Sequence, residues 1–221
     1  MNNKTIVAPA TASGRGGVSI IRMSGKRSKK IAQIMCGELP EPWRFKKTTI
    51  KSSDSNVLDS GMVVFFESPH SYTGDDVVEF HCHGNPVVVS LIIEEAVRLG
   101  AVVAEPGEFT KTAFLNDKID LAQAESVADL ISAQSKSAVV AANSSLSGDF
   151  SKEINLLLDG IVTARVLVEA SIDFPEDELD EGLLSEIHEN LITQSKGIEL
   201  SLIHISEPTR QEAISYAVFC L

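Results

Sequence analysis

Residues 150–172 read FSKEINLLLDGIVTARVLVEASI, and this stretch decides how the rest of the chain is taken. Its apolar positions Phe150, Ile154, Leu157, Ile161, Ala164, Val168 and Ile172 recur at steps of three and four, which places them on one face of a helix about six turns long. A helix of that length with a single apolar stripe belongs to a bundle. Pro175, which lacks an N–H and clashes with the preceding turn, stops it. Upstream, Asp117 is expected to cap a helix from residue 118 to about Gln134, and residues 138–143 read as another. Alanines and serines along these segments let neighbouring helices approach closely.

Ahead of residue 118 the period changes. Residues 5–8 and 18–22 are short runs rich in β-branched residues, separated by Gly14-Arg15-Gly16-Gly17, and residues 57–68 and 76–83 repeat the pattern between Pro, Gly and Asp signals. Residues 86–99 have helical length and an apolar stripe ending at Gly100, a natural C-cap, after which residues 101–105 read as a strand running into the Pro106-Gly107 turn. The expected architecture is therefore an α/β domain followed by a helical one.

Charge breaks at the same place. The chain of 221 residues carries a net charge of −12, with 14 Lys and Arg against 13 Asp and Glu through Lys118, and 5 against 18 after it. An acidic second half repels phosphate backbones, so a nucleic acid would meet the first half or a partner protein. The composition, 43% hydrophobic and 23% charged, is that of a globular chain, and its apolar runs fall short of the roughly 20 residues that span a bilayer. The N-terminus lacks the regions of a secretory signal, and three cysteines, Cys36, Cys82 and Cys220, are too few for a disulfide framework. Both features point to the cytoplasm.

Several motifs invite a sharper reading. The glycine cluster is not a Walker A loop, because G-x-x-x-x-G-K-[ST] is needed to bring a lysine to the terminal phosphates and a hydroxyl to magnesium, and no window fits. It reads as a tight loop between strands with positive-φ positions. On a strand, His81 and His83 share a face while Cys82 points away, so His81-Cys82-His83 offers at most two convergent metal ligands, with His70, His188 and His204 the other histidines; no metal site is expected. The basic clusters are Lys26, Arg27, Lys29 and Lys30, then Arg44, Lys46, Lys47 and Lys51. Trp43 and Phe45 flank Arg44, so a base-stacking, phosphate-contacting patch and a solvated face with two anchoring aromatics stand level. The acidic run Glu176, Asp177, Glu178, Asp180 and Glu181 reads as a solvated connection favouring the next helix N-terminus.

Eight blocks carry a family resemblance in a fixed order: Thr5-Ile6-Val7-Ala8, Gly14-Arg15-Gly16-Gly17-Val18, Ile21-Arg22-Met23-Ser24-Gly25, the run from Ser71 to Glu79, His83-Gly84-Asn85-Pro86, Pro106-Gly107-Glu108-Phe109-Thr110, the run from Ala113 to Glu125, and Glu169-Ala170-Ser171-Ile172-Asp173-Phe174-Pro175. Together they resemble the tRNA modification GTPases MnmE, also called TrmE. The resemblance implies an α/β folate-binding and dimerisation domain over residues 1–117, similar to the folate domain of aminomethyltransferases, followed by a partial helical bundle over residues 118–200. It further implies a homodimer that works with MnmG on the wobble uridine of tRNA, using 5-formyltetrahydrofolate or 5,10-methylenetetrahydrofolate as cofactor, with GTP, magnesium and potassium serving a G domain absent from these residues. No membrane partner is implied.

Carried over by motif, the folate contacts fall on Arg22, Glu79 and Lys118. A carboxylate accepts adjacent pterin N–H groups and cations meet the ligand's glutamate tail, with the assignment of the two cations left open. The family usually has His-Gly-Gly-Pro where this chain has His83-Gly84-Asn85-Pro86, and asparagine is expected to tolerate a left-handed backbone there. Residues 201–221 match no family block and read as a non-native tail, translated adapter sequence joined to a truncated gene, with Cys220 unrelated to the family's C-terminal cysteine. Two other readings are a stand-alone folate-dependent aminomethyltransferase and a non-catalytic helical scaffold built on the 150–172 stripe.

Overall fold

The computed structural model describes residues 4–173, 185, 188–189, 191–193 and 195–197. The acidic run, Pro175, Cys220 and residues 201–221 lie outside the described residues. Two compact units divide between Ile119 and Asp120.

The first unit is built on a six-stranded sheet of β1 (Ile6–Pro9), β2 (Gly16–Ser24), β3 (Phe45–Lys51), β4 (Val57–Phe66), β5 (Val77–Gly84) and β6 (Val102–Val103), in the order β3-β4-β5-β2-β1-β6. All pairs are antiparallel except β1 with β6. Because side chains alternate along a strand, the register divides the residues cleanly between two faces. One face carries Val7, Ile21, Met23, Ile50, Val63, Phe65, Val78, Phe80 and Cys82, all buried beneath α1 (Ser28–Cys36) and α2 (Pro86–Arg98), which add Ile31, Met35, Ile92 and Ala96. Full burial of each large apolar side chain contributes roughly 2 kcal/mol, so this layer holds the unit together.

The other face begins with a row that crosses five strands: Ala8, Arg22, Glu79, Val64 and Phe45. The next row holds Ile20, His81, Met62 and Lys47. Helix α3 (Glu108–Leu115) and the loop between β4 and β5 lie on this side, joined by a hydrogen bond between the Tyr72 and Thr110 hydroxyls at 2.8 Å.

Helix α2 begins where the chain departs from the family's glycine. Asn85 adopts φ −113° and ψ 123° and accepts a bond from the Val87 N–H, with Pro86 in the first turn. The expectation of a left-handed backbone is thus corrected: asparagine here serves as an N-cap, which needs extended backbone and a side-chain acceptor. The strand expected over residues 101–105 forms two ladder residues only. Of the glycine cluster, Gly14 takes the positive φ of 142° expected of the loop, while Gly16 and Gly17 already belong to β2.

The second unit contains α4 (Leu121–Ser132), α5 (Lys136–Leu146) and α6 (Asp149–Asp173). The cap expected at Asp117 is instead Asp120. Its carboxylate accepts from Gln123 N at 2.9 Å while Gln123 Oε1 accepts from Asp120 N at 3.0 Å, a reciprocal capping box. Asp117 sits at φ +54°, a conformation no N-cap uses. Gln123 also donates to Leu146 O at 3.0 Å, tying α4 to the end of α5. Along α6 the stripe is unevenly covered: Ala164 is 3% exposed, but Ile154, Ile161 and Ile172 stand 42%, 45% and 68% exposed. No helix among the described residues is long and apolar enough to cross a membrane.

Candidate functional site

The open sheet face of the first unit brings two of the three expected residues into direct contact. Antiparallel pairing of β2 with β5 sets Arg22 opposite Glu79, and Arg22 Nε donates to Glu79 Oε1 at 2.8 Å. Their side chains are 28% and 12% exposed. A carboxylate this deep needs a cation, and the neighbouring strand supplies one by register alone.

Two rings complete the guanidinium's surroundings. Arg22 Cζ lies 5.2 Å from the centre of the Tyr72 ring and 5.7 Å from that of Phe109, within cation–π range of both. Tyr72 arrives there because its loop is pinned on each side. Thr73, fully buried, shares a 2.7 Å hydrogen bond between its hydroxyl and that of Ser24, and its carbonyl accepts from Asn116 Nδ2 at 2.7 Å.

Lys118 is held by the same loop. Its Nζ donates to the Pro69 carbonyl at 3.0 Å, and its stem lies so near Gly74 that a Cβ there would stand 3.1 Å from Lys118 Cγ. Gly74 also takes φ +81°, so glycine is needed both for the turn and for the lysine's approach. Lys118 is therefore linked to the Arg22–Glu79 pair through the 69–74 loop rather than by a shared bond.

The histidine tripeptide separates into three environments. Cys82 faces the helix-covered core, where burial pushes its thiol up to about 11. His83 is turned to Asp59, with Nδ1 to Oδ1 at 2.8 Å and its backbone N–H on Oδ2 at 2.8 Å. Burial would raise the Asp59 carboxyl, but the bonds from His83 outweigh it and hold the group below its ordinary value. His81 lies beside Glu79, its Nε2 3.5 Å from Oε2, edge-on to Phe45 with ring centres 5.1 Å apart. Its Nε2 is buried and has no hydrogen-bond partner among the described residues.

On the same side a cavity of 590 Å³ is lined by residues including Lys4, Ser24, Lys26, Asp75, Glu108 and Asn116, with Lys4 and Glu108 paired at 3.0 Å. None of Arg22, Glu79 or Lys118 lines it.

Tyr72 and Phe109 are residues of this candidate site that pattern reading passed over, and His81 is one that it weighed only as a metal ligand. Tyr72 and Phe109 lie inside quoted family blocks, and His81 is two residues from Glu79 on a strand, a spacing that fixes a shared face.

Comparison with known proteins agrees with this division of the chain. The family described as GTP-binding protein TrmE N-terminus matches residues 5–118, and the MnmE helical domain matches residues 121–211, reaching into the stretch set apart above as a tail. The tRNA modification GTPase MnmE of Neisseria gonorrhoeae (strain NCCP11945) is 52% identical over 179 residues, 81% of this chain and 40% of that protein. The proteins of the same name from Hydrogenovibrio crunogenus and Nitrosomonas eutropha are each 45% identical, over 90% and 95% of this chain and 46% of their own length. The chain thus spans less than half the length of the curated relatives it matches. On the strength of both matches, the chain belongs to the MnmE family of tRNA modification GTPases and carries that family's N-terminal and helical domains.

Proposed function

We propose that the open sheet face of the first unit is a tetrahydrofolate site, with Arg22, Glu79 and Lys118 as its charged contacts. The observation that carries this reading is the half-buried Arg22–Glu79 pair bordered by Tyr72 and Phe109, with a histidine nitrogen beside the carboxylate that has no hydrogen-bond partner among the described residues. These residues fit the ligand. A carboxylate accepts heterocycle N–H groups, aromatic rings cover a flat heterocycle, and cations meet a glutamate tail. Glu79, oriented by Arg22 Nε, holds the heterocycle edge, while Arg22 and Lys118 are the cations available to carboxylates. When bound, the folate supplies a one-carbon unit for transfer.

In the whole protein this domain, with a fold like that of the aminomethyltransferase folate domain, forms a cytoplasmic homodimer. Together with MnmG it modifies C5 of the wobble uridine of tRNA. GTP hydrolysis belongs to a part of the relatives that this chain does not span, in keeping with the lack of G-x-x-x-x-G-K-[ST] in the sequence.

Calorimetric titration of the chain with 5-formyltetrahydrofolate tests the reading. Saturable binding that weakens at least tenfold in both Arg22→Ala and Glu79→Ala is expected. Unchanged affinity in both variants refutes the site.

A further inference from the structure

His81 Nε2 is a buried side-chain nitrogen without a hydrogen-bond partner among the described residues. Leaving such an atom unpaired is costly, so it marks a place where something outside the chain completes the bond. The ring has few alternatives. Phe45 stands edge-on to it at an interplanar angle of 84°, and its cross-strand neighbours Ile20 and Met62 are apolar. Glu79 Oε2, at 3.5 Å, is close enough to act beside Nε2.

The chemistry of the two atoms is complementary. A carboxylate only accepts, whereas an imidazole protonated on Nε2 donates, whether neutral or charged, and the nearby carboxylate favours that tautomer. A donor and an acceptor 3.5 Å apart match the adjacent C=O and N–H of a cyclic amide. We infer that His81 and Glu79 together read such an edge: His81 Nε2–H donates to the 4-oxo oxygen of a reduced pterin while Glu79 Oε2 accepts the neighbouring ring N–H. The inference rests on the folate reading of this face and adds its selectivity. A 2,4-diaminopteridine presents an amino group in place of the oxygen and a bare nitrogen in place of the N–H, so it mismatches both atoms. Uridine carries the same amide edge as the pterin, and the test must separate the two.

The experiment is calorimetric titration of the full chain and its His81→Leu and His81→Gln variants with 5-formyltetrahydrofolate, aminopterin and uridine monophosphate. Thermal melting checks that each variant is folded. The wild-type chain is expected to favour the 4-oxo ligand over aminopterin at least tenfold. His81→Leu should lose about tenfold in affinity for the 4-oxo ligand and with it the preference, while His81→Gln, which keeps a donor, retains most of both. A preference that survives in His81→Leu overturns the inference. So does a wild-type ratio near one, whether or not the leucine variant folds. Binding of uridine monophosphate with neither pteridine bound keeps the edge reader and overturns the folate reading. Binding of none of the three overturns both.

Discussion

Arg22 and Glu79 sit 57 residues apart in the chain and directly opposite each other across β2 and β5, joined by a 2.8 Å bond from Nε to Oε1. The pair is asymmetric, since the carboxylate is the more deeply buried partner. Arg22→Ala strands a charge with little access to water and should destabilise the fold by roughly 3 kcal/mol in urea unfolding. Glu79→Ala leaves a longer side chain that reaches solvent and should cost distinctly less. Equal costs for the two variants would contradict this placement.

A second carboxylate sets a pH dependence. Glu95 on α2 accepts from Ser53 N at 2.8 Å and from Arg98 Nε at 2.9 Å. Burial alone would raise its carboxyl, but these bonds outweigh that and hold it below the ordinary value of 4.5. A group whose folded value is depressed stabilises fully above its unfolded value and loses that contribution as pH falls through the folded one. Glu95→Gln should therefore cost roughly 2 kcal/mol at pH 7 and progressively less as pH falls below 4.5 through the depressed folded value, read from urea midpoints at descending pH. A cost independent of pH would show that the ionised form is not what matters.

Much of this fold is legible in the sequence, and the exceptions have physical causes. The β-branched runs of β1, β2, β4 and β5 and the stripe of α2 announce themselves because each buries a regular face, and the stripe of α6 by its period alone. Helix α1 hides behind the basic run Lys26 to Lys30, with its buried Ile31, Ala32 and Met35 crowded into its later turns. Strand β3 is an edge strand whose lysines discourage further pairing, and only Ile50 of its seven residues is buried. Helix α3 is eight residues long, too short for its period to emerge. The Arg22–Glu79 contact depends on sheet register, which no local pattern encodes, so only the family resemblance points to these residues.

The helical unit offers a test of capping. Asp120 satisfies Gln123 N and receives the reciprocal bond, whereas Asp117 has a left-handed backbone. Asp120→Ala should lower stability by about 1 kcal/mol, and Asp117→Ala should not, as measured by thermal melting followed at 222 nm. The reverse order would restore the earlier helix start.

The exposed isoleucines of α6 predict self-association. Ile154, Ile161 and Ile172 present apolar area on one face of a single helix. Sedimentation velocity should show concentration-dependent oligomers that Ile161→Lys reduces. A monomer at every concentration, with no binding of an apolar dye, would mean that this face is covered.

Nuclear magnetic resonance mapping with 5-formyltetrahydrofolate tests the proposed folate site residue by residue. Shifts of the resonances of Arg22, Tyr72, Glu79, His81 and Lys118 that saturate together are expected. Shifts confined to the 590 Å³ cavity around Lys4, Lys26 and Glu108, or no shifts at all, would contradict it.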